Sequence, residues 1–264
     1  MSPSIAIIGG GNLGISIAEG LLAGGFTKAD QITVTRRNIA LLQPLQAKGI
    51  RISTDNKAAT SGANIIVLAV KPFQVKEVLK EIATCILPSQ TLVSVVTGVS
   101  IAELLSELPQ KTAFFRAMPN TAIAIRESMT CIAHQEATTE QVDQIFDLFG
   151  QLGRVALIDE KLMDAATVLG ACGTAYAMRY IRANIQGGIE IGFDAATATL
   201  IAAQTVKGAA ELLLRKGTHP EQEIDKVTTP KGCTIAGLNE MEHQGFSSSL
   251  IKGISASYEK ILKG

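Results

Sequence analysis

The stretch VTTPKGCTIAGL, from Val227 to Leu238, combines a loop with the start of a predicted helix. Pro230 and Gly232 indicate a turn, and a helical pattern runs from Ile235 to His243. A helix that begins after a glycine turn displays several unpaired N–H groups, and its dipole favours an anion. The sequence therefore predicts that an anion binds at the start of this helix.

A second glycine turn lies near the start of the chain. The apolar run from Ile5 to Ile8 predicts a strand buried on both faces, and a helical pattern continues through Leu22. Between them stands GGGNLG, a GxGxxG pattern in its required place between strand and helix. Gly9 permits the tight turn, Gly11 lets a pyrophosphate approach the backbone, and Gly14 allows close helix packing. We predict that a dinucleotide is bound by Gly9, Gly11, Asn12, Leu13 and Gly14.

The end of the second predicted strand, Gln31 to Thr35, indicates which dinucleotide binds. An NAD site usually has Asp or Glu there, about 20 residues after the glycines, to hold the ribose 2′-hydroxyl. This chain has Thr35-Arg36-Arg37-Asn38 instead. Guanidinium groups bind a 2′-phosphate through paired hydrogen bonds, whereas a carboxylate would repel it. We predict NADP as the cofactor, with NADPH preferred over NADH; for either arginine alone, a solvated strand end is the alternative.

The alternation of strands and helices continues and predicts a mostly parallel sheet with its ligand at the carboxyl ends of the strands. Strand ends are expected at Ala69 to Pro72, at Thr97-Gly98 and at Met118 to Thr121. Lys71 is a candidate base, but a solvated lysine beside a turn proline is the commoner case, so it receives no catalytic role. Beyond the glycine turn, the residues predicted to bind the cofactor are Thr35, Arg36, Arg37, Asn56, Ala69, Val70, Lys71, Pro72, Thr97, Gly98, Met118 and Asn120.

The pattern changes after the last predicted strand, Arg154 to Ile158. Gly187-Gly188 and Gly217 are expected to mark breaks between helices. Helices are predicted at Leu162 to Gln186, Phe193 to Arg215, Ile235 to His243 and Ser248 to Leu262. The predicted fold class is therefore α/β: an N-terminal Rossmann-type dinucleotide-binding domain, residues 1–159, followed by an all-helical C-terminal dimerisation domain, residues 160–264.

Small residues crowd two of these helices, including Gly170, Gly173 and Ala177 in one and a run of alanines from Ala195 onward in the other. Small residues let helices approach closely, and apolar faces on several sides imply burial on several sides. A short helical domain cannot bury all of that surface alone. We expect an intertwined homodimer; the alternative is that the first domain covers these faces within one chain.

Composition excludes several classes of function. The chain balances 24 basic against 24 acidic residues, which argues against nucleic-acid and anionic-membrane surfaces. Its 4 cysteines and 3 histidines are scattered, and the pair Cys131 and His134 alone does not make a metal site. Strand-like sequence begins at Ser4, which leaves no room for a signal peptide, and no apolar run has membrane-spanning length. The expectation is a cytoplasmic protein with reduced cysteines and no metal.

Three segments together resemble the pyrroline-5-carboxylate reductase family: Phe115 to Thr121 (FRAMPNT), Ala69 to Pro72 (AVKP) and Val227 to Leu238. The resemblance covers nearly the whole chain in order and spacing. It implies NAD(P)H-dependent reduction of a cyclic imine to proline. It also implies a helical C-terminal domain that is exchanged between partners to form a dimer, with dimers that often build larger rings.

The resemblance also implies an answer for the predicted anion. In that family the loop corresponding to Thr229 to Thr234 holds the substrate carboxylate through backbone N–H groups, and the residue corresponding to Thr234 hydrogen-bonds the ring nitrogen. A fixed carboxylate would orient a protonated imine toward the nicotinamide. Thr234 is thus the expected catalytic residue, the alternative being a helix cap. The residues expected to bind substrate are Thr229, Gly232, Cys233 and Thr234.

Departures from the family pattern leave the precise substrate open. Lys231 and Cys233 stand where glycine and threonine are usual, and a positive φ at Lys231 would be strained. The start of the long helix reads GACGTAY, from Gly170 to Tyr176, without the usual serines and proline. A different cyclic imine and a non-catalytic NADP-binding regulator stay open as alternatives. A β-hydroxyacid dehydrogenase is disfavoured, because that class uses a lysine on the long helix and none occurs between Leu162 and Val206.

Overall fold

The structure is a computed structural model that describes residues 2–109 and 111–263. The chain divides into two compact units, one ending at Cys172 and the other beginning at Gly173. All the strands of the described residues lie in the first unit, and the described part of the second unit is helical. The predicted fold class is confirmed. The domain boundary predicted after residue 159 stays a prediction, because compactness alone is a different criterion from domain identity.

Across the described residues, the first unit is built on an eight-stranded sheet. Its strands are β1 Ile5–Ile8, β2 Ile32–Thr35, β3 Arg51–Ser53, β4 Ile65–Leu68, β5 Thr91–Ser94, β6 Ala113–Met118, β7 Ser128–Gln135 and β8 Gly153–Leu157. The strand order is β3-β2-β1-β4-β5-β6-β7-β8, and neighbours are parallel except for the antiparallel pair β6 and β7. Because the order reverses between β1 and β4, the carboxyl ends of these strands flank the crevice in which such sheets bind nucleotides.

Helices cover the sheet and make up the second unit. Those of the first unit are α1 Asn12–Gly24, α2 Gln43–Ala47, α3 Asn56–Ser61, α4 Pro72–Ile82, α5 Ile101–Leu105, α6 Thr139–Gly150 and α7 Met163–Ala166, the last continued by a π-helical segment at Thr167–Cys172. Those of the second unit are α8 Gly173–Glu190, α9 Ala195–Lys216, α10 Pro220–Val227, α11 Cys233–His243 and α12 Phe246–Lys263. The helix predicted from Leu162 to Gln186 is thus α7, the π-helical segment and α8 in succession. The sequence analysis did not predict strand β3 or helices α2, α3, α5, α6 and α10.

The core of the first unit lies on both faces of the sheet. Every residue of β1, β4, β5 and β6 is buried. Side chains alternate between the two faces, so Ile5 and Ile7 join one apolar cluster and Ala6 and Ile8 join the other. Burial of one large aliphatic side chain contributes about 1.5–3 kcal/mol. The all-apolar runs in the sequence therefore build a rigid sheet whose carboxyl ends are held in place.

One break predicted in the second unit is wrong and the other is confirmed. Helix α8 continues through Gly187 and Gly188 to Glu190. A Cβ on Gly188 would lie 3.1 Å from the Cβ of Ala198 in α9, so this glycine serves close helix packing. The chain turns at Gly192 instead, with φ 113°. Gly217 does end α9, in a left-handed conformation.

The second unit buries few of its own apolar side chains. Its buried hydrophobic residues are Ile185, Ala198 and Ala202. Large apolar side chains on its helices are exposed, among them Leu200 at 70% and Ile251 at 63%. No helix in the described ranges is long and apolar enough to cross a bilayer. From the sequence we expect these helices to bury apolar side chains against another domain or another chain. The exposure of these side chains agrees with that expectation.

Candidate active site

The glycine turn joins β1 to α1 at the carboxyl edge of the sheet. Gly9 has φ 114°, and the backbone N–H groups of Gly9 and Gly10 both donate to the carbonyl of Thr35 at the end of β2, at 3.2 and 2.7 Å. Gly11 is the N-cap of α1, and no side chain caps this helix. The first N–H groups of α1 therefore point out of the turn and are available to an anion.

Glycine is needed at Gly9, Gly11 and Gly14 for different physical reasons. A Cβ on Gly14 would lie 2.1 Å from the carbonyl oxygen of Gly9, and one on Gly9 would lie 2.5 Å from that of Ala69. A Cβ on Gly11 would meet no atom within 4 Å. Gly9 and Gly14 are thus required by the fold, whereas the open space at Gly11 is the cradle that a pyrophosphate would fill. Asn12 and Leu13 form the first turn of α1.

The two arginines after β2 lie in different surroundings. Nη1 of Arg36 donates to the carbonyl oxygen of Gly10 at 2.6 Å, so this half-buried side chain braces the glycine turn. Arg37 is exposed. Within the described residues Arg37 makes no ion pair, which leaves its guanidinium group available to a phosphate.

Thr35 and Asn56 meet at the same end of β2. The hydroxyl of Thr35 donates to Oδ1 of Asn56 at 2.6 Å, and Nδ2 of Asn56 donates to Oε2 of Glu81 at 3.0 Å. Glu81 belongs to α4 and was not predicted as part of any site. The sequence carries no signal for this contact, because it joins residues 25 positions apart.

The other predicted strand ends gather around the same edge. Gly9 is adjacent to Ala69 and Val70, and the Thr97 hydroxyl contacts the Met118 sulfur at 3.9 Å. Gly98 has φ 76°. Lys71 is the exposed N-cap residue of α4, followed by Pro72 in the first turn. This matches the interpretation of Lys71 as a solvated lysine beside a turn proline.

Asn120 has a structural use for both ends of its amide. Its Oδ1 accepts from the N–H of Ala122 at 3.0 Å, and its Nδ2 donates to the carbonyl of Gly170 at 3.2 Å. Gly170 lies in the π-helical segment Thr167–Cys172. Asn120 therefore ties the end of β6 to that segment. Its predicted contact with the cofactor stays a prediction.

The second predicted anion site is a turn followed by α11. The N–H of Gly232 donates to the carbonyl of Thr229 at 2.9 Å and closes the turn, with Lys231 at φ 60°. Gly232 is the N-cap of α11, and no side chain caps this helix. Lys231 is exposed and is the one charged residue between Val227 and Ile235. As at the first turn, unpaired N–H groups face outward at a helix start.

Thr234 is not the cap of α11. The helix begins at Cys233, so Thr234 is its second residue. A cap residue accepts hydrogen bonds from the next turn, and within residues 2–109 and 111–263 the Thr234 hydroxyl has no partner at all. The cap alternative for Thr234 is therefore wrong. Its half-buried hydroxyl is available to a ligand bound at the helix start.

Glu223 of α10, the helix that precedes this turn, forms ion pairs with Lys216 and Lys226 at 3.5 and 2.6 Å. Hydrogen bonds from Lys226 and Thr218 lower the pKa of Glu223 in α10 to about 2. Elsewhere, burial raises the pKa of the Cys131 thiol. The four cysteines are free, and no group of three His, Cys, Asp or Glu in the described ranges could hold a metal ion. The groups that the two candidate sites present are backbone amides, hydroxyls and basic side chains.

The chain is similar to two sequence families and to relatives of known name. Residues 160–263 match the family described as pyrroline-5-carboxylate reductase dimerisation, and residues 4–98 match NADP oxidoreductase coenzyme F420-dependent. Pyrroline-5-carboxylate reductase 2 of Dictyostelium discoideum is 45% identical over 98% of this chain and 92% of its own length. Pyrroline-5-carboxylate reductase 1 of the same organism is 46% identical over 97% of this chain, which spans 49% of that longer relative.

Solved structures give the same result. A pyrroline-5-carboxylate reductase from Coxiella burnetii aligns with TM-score 0.92 and 28% identity, covering 100% of this chain and 98% of that one. Pyrroline carboxylate reductase of Plasmodium falciparum, with NADP bound, aligns with TM-score 0.85 and 25% identity over 98% and 97% of the two chains. The resemblance deduced from three short segments thus extends over the whole fold. This chain belongs to the pyrroline-5-carboxylate reductase family.

Proposed function

We propose that this protein reduces 1-pyrroline-5-carboxylate to L-proline with NADPH. The observation that carries the proposal is the start of α11, where an uncapped helix terminus and the unpartnered Thr234 hydroxyl stand side by side in a member of this family. An amide-lined anion site next to a hydroxyl suits a ligand whose carboxylate and ring nitrogen are attached to the same carbon. The product of the reaction is the saturated ring.

The start of α11 is proposed to hold the substrate carboxylate. The outward N–H groups of Cys233 and Thr234, and the turn that Thr229 and Gly232 close, provide donors of the kind that bind carboxylates at helix starts. Lys231 adds a positive charge beside them. Fixing the carboxylate restricts the ring to orientations that expose its C=N carbon. Such positioning lowers the activation free energy by several kcal/mol.

Thr234 is proposed to contact the ring nitrogen. Hydride addition needs an electron-poor carbon, so the imine must react in its protonated form. A threonine hydroxyl accepts a hydrogen bond from the iminium N–H and keeps the proton on nitrogen. After reduction the same contact is to the amine of proline. No side chain within hydrogen-bonding distance competes for this hydroxyl in the described chain.

The first unit is proposed to bind the cofactor. When bound, NADPH supplies the hydride. The open cradle at Gly11 and the uncapped start of α1 suit the pyrophosphate, and the exposed Arg37 suits a 2′-phosphate. Arg36 supports the glycine turn through its hydrogen bond to the carbonyl oxygen of Gly10. NADP is bound in the P. falciparum relative.

We further propose that the protein acts as a homodimer, assembled through the helical region that matches the dimerisation family. The exposed apolar side chains of α8, α9 and α12 would supply the interface, among them Met178, Leu200 and Ile251. Assembly of dimers into a ring and a cytoplasmic location are finer proposals. Light scattering during size-exclusion chromatography tests the first, since a dimer and a ring differ several-fold in mass.

One assay tests the proposed reaction. Consumption of NADPH is followed by absorbance with pyrroline-5-carboxylate and with the homologous six-membered imine. In a third reaction NADP+ is supplied with a 2-hydroxy acid, and formation of NADPH is followed. We expect the five-membered imine to be the best substrate, with L-proline as product by mass spectrometry. A faster reaction with the six-membered imine would favour the alternative substrate, which the unusual Lys231 keeps open. No turnover with any of them would favour a regulator and overturn the proposal.

A further inference from the structure

The sequence has no acidic residue directly after β2, but the tertiary structure places the carboxylate of Glu81 near this point. Asn56, the first residue of α3, accepts the Thr35 hydroxyl at the end of β2. Its Nδ2 donates to a carboxylate oxygen of Glu81, which arrives from α4. A hydrogen-bonded chain of three side chains thus joins the end of β2 to a carboxylate.

The charge of Glu81 is not neutralised by a basic neighbour. Two other glutamates form ion pairs with lysines of α4: Glu103 with Lys76 at 3.3 Å and Glu107 with Lys80 at 3.5 Å. Glu81 has no lysine, arginine or histidine within 4.0 Å among residues 2–109 and 111–263, and it is exposed. It therefore keeps a negative field beside Asn56.

In this fold the end of β2 is where the 2′-substituent of the adenosine ribose binds. A carboxylate near that point favours the neutral 2′-hydroxyl of NADH and repels the dianionic 2′-phosphate of NADPH. Arg36 and Arg37 act in the opposite direction. We propose that Glu81 is a specificity-determining residue that weakens the preference for NADPH over NADH, acting through Asn56. This inference rests on the nucleotide-binding part of the proposed function.

The amide of Asn56 transmits the effect. The Oδ1 of Asn56 accepts from Thr35 and one N–H of its Nδ2 donates to Glu81, which leaves the second N–H of Nδ2 for a ligand. The carboxylate fixes that orientation and also lies within a few ångströms of whatever the second N–H binds. Replacement of Glu81 by glutamine keeps an oxygen acceptor for Asn56 and removes the charge. This variant therefore separates the effect of the Glu81 charge from the effect of the Asn56 orientation.

The test measures dissociation constants of NADP+ and NAD+ for the full-length protein by calorimetry. For Glu81→Gln at about 50 mM salt we expect NADP+ to bind about threefold more tightly and NAD+ to bind unchanged, as for removal of one charge several ångströms from a phosphate. Glu81→Lys should increase the gain to about tenfold. Both gains should shrink as salt is raised. Glu77→Gln is the matched control, since Glu77 lies one turn away on α4 and is exposed.

An unchanged ratio of the two dissociation constants in Glu81→Gln, or the same change in Glu77→Gln, overturns the inference. Equal tightening of both nucleotides also overturns it, because a general effect on the fold would not depend on the 2′-phosphate. Failure to reduce pyrroline-5-carboxylate alongside the expected shift in binding would remove only the proposed substrate. If the unmodified protein binds neither nucleotide, the cofactor assignment and this inference fall together.

Discussion

The two glycine turns of this molecule use the same device under different constraints. Each places an uncapped helix start after a turn, and each has one residue with positive φ. At the first turn that residue is Gly9, where an added Cβ would collide with the backbone of Ala69. At the second turn it is Lys231, a residue with a side chain.

The difference separates what the fold requires from what function selects. Gly9 and Gly14 of the first turn are required by packing, so the identity of these two residues says little about which anion binds. At the second turn the left-handed conformation costs Lys231 on the order of 1–2 kcal/mol, and glycine would avoid the cost. An exposed residue that keeps such strain points to a use for its side chain. The departure from the family pattern is therefore the more informative of the two turns about substrate.

The largest expected effect tests the packing constraint at the first turn. Gly14→Ala should lower the free energy of unfolding by about 3 kcal/mol and abolish measurable NADP+ binding, because its Cβ would lie 2.1 Å from the Gly9 carbonyl oxygen. Gly11→Ala is the control: its Cβ meets no protein atom, so the melting temperature should hold while NADP+ affinity falls. Equal melting temperatures for the two variants would contradict the distinction. Thermal denaturation and calorimetry supply the two readouts.

The next effect concerns chemistry at the second turn. Thr234→Ala should lower kcat about 100-fold, the size expected when a side chain that takes part in proton transfer is lost. The dissociation constant of NADP+ should not change. Thr234→Ser retains the hydroxyl and should recover most of the activity. A Thr234→Ala enzyme with unaltered kcat would reduce Thr234 to a structural residue and leave only the amides as the substrate site.

The two arginines after β2 should separate by nucleotide. Arg37→Ala should weaken NADP+ about tenfold with little change for NAD+, because it removes a charge-assisted contact with the 2′-phosphate. Arg36→Ala should weaken both nucleotides, since Arg36 braces Gly10 in the shared turn. Together the two changes should raise the KM for NADPH far more than that for NADH. Equal effects of Arg37→Ala on both nucleotides would remove its assignment to the 2′-phosphate.

The smallest effect tests the strained lysine. Lys231→Gly should raise the free energy of unfolding by about 0.5–1 kcal/mol, the relief of positive φ less the added freedom of glycine when unfolded. Its KM for the carboxylated imine should rise several-fold. Lys231→Ala keeps the Cβ and loses the ammonium group, so it should show the rise in KM without the gain in stability. Should KM hold in both variants, the side chain has no part in substrate binding.

Much of the fold and of both candidate sites was predictable because the signals are local. Apolar runs predicted the buried strands, and the spacing of Gly9, Gly11 and Gly14 predicted the nucleotide turn. The turn at Pro230 and Gly232 predicted the start of α11 to within two residues. The misreading of Gly187-Gly188 has the opposite origin. A glycine inside a helix indicates a break locally, whereas here Gly188 is needed for contact with α9.

The sequence by itself determined the alternation of buried strands and helices in the first unit, the change to helices in the second, and the two helix starts and two arginines that we propose as anion sites. These follow from φ and ψ preferences and from side-chain periodicity, which act over a few residues. Only the tertiary structure decided that Glu81 lies beside Asn56 and that Asn120 binds Gly170, across 25 and 50 positions. Such pairs depend on the angles at which packed helices meet the sheet, and no short stretch of sequence encodes those angles.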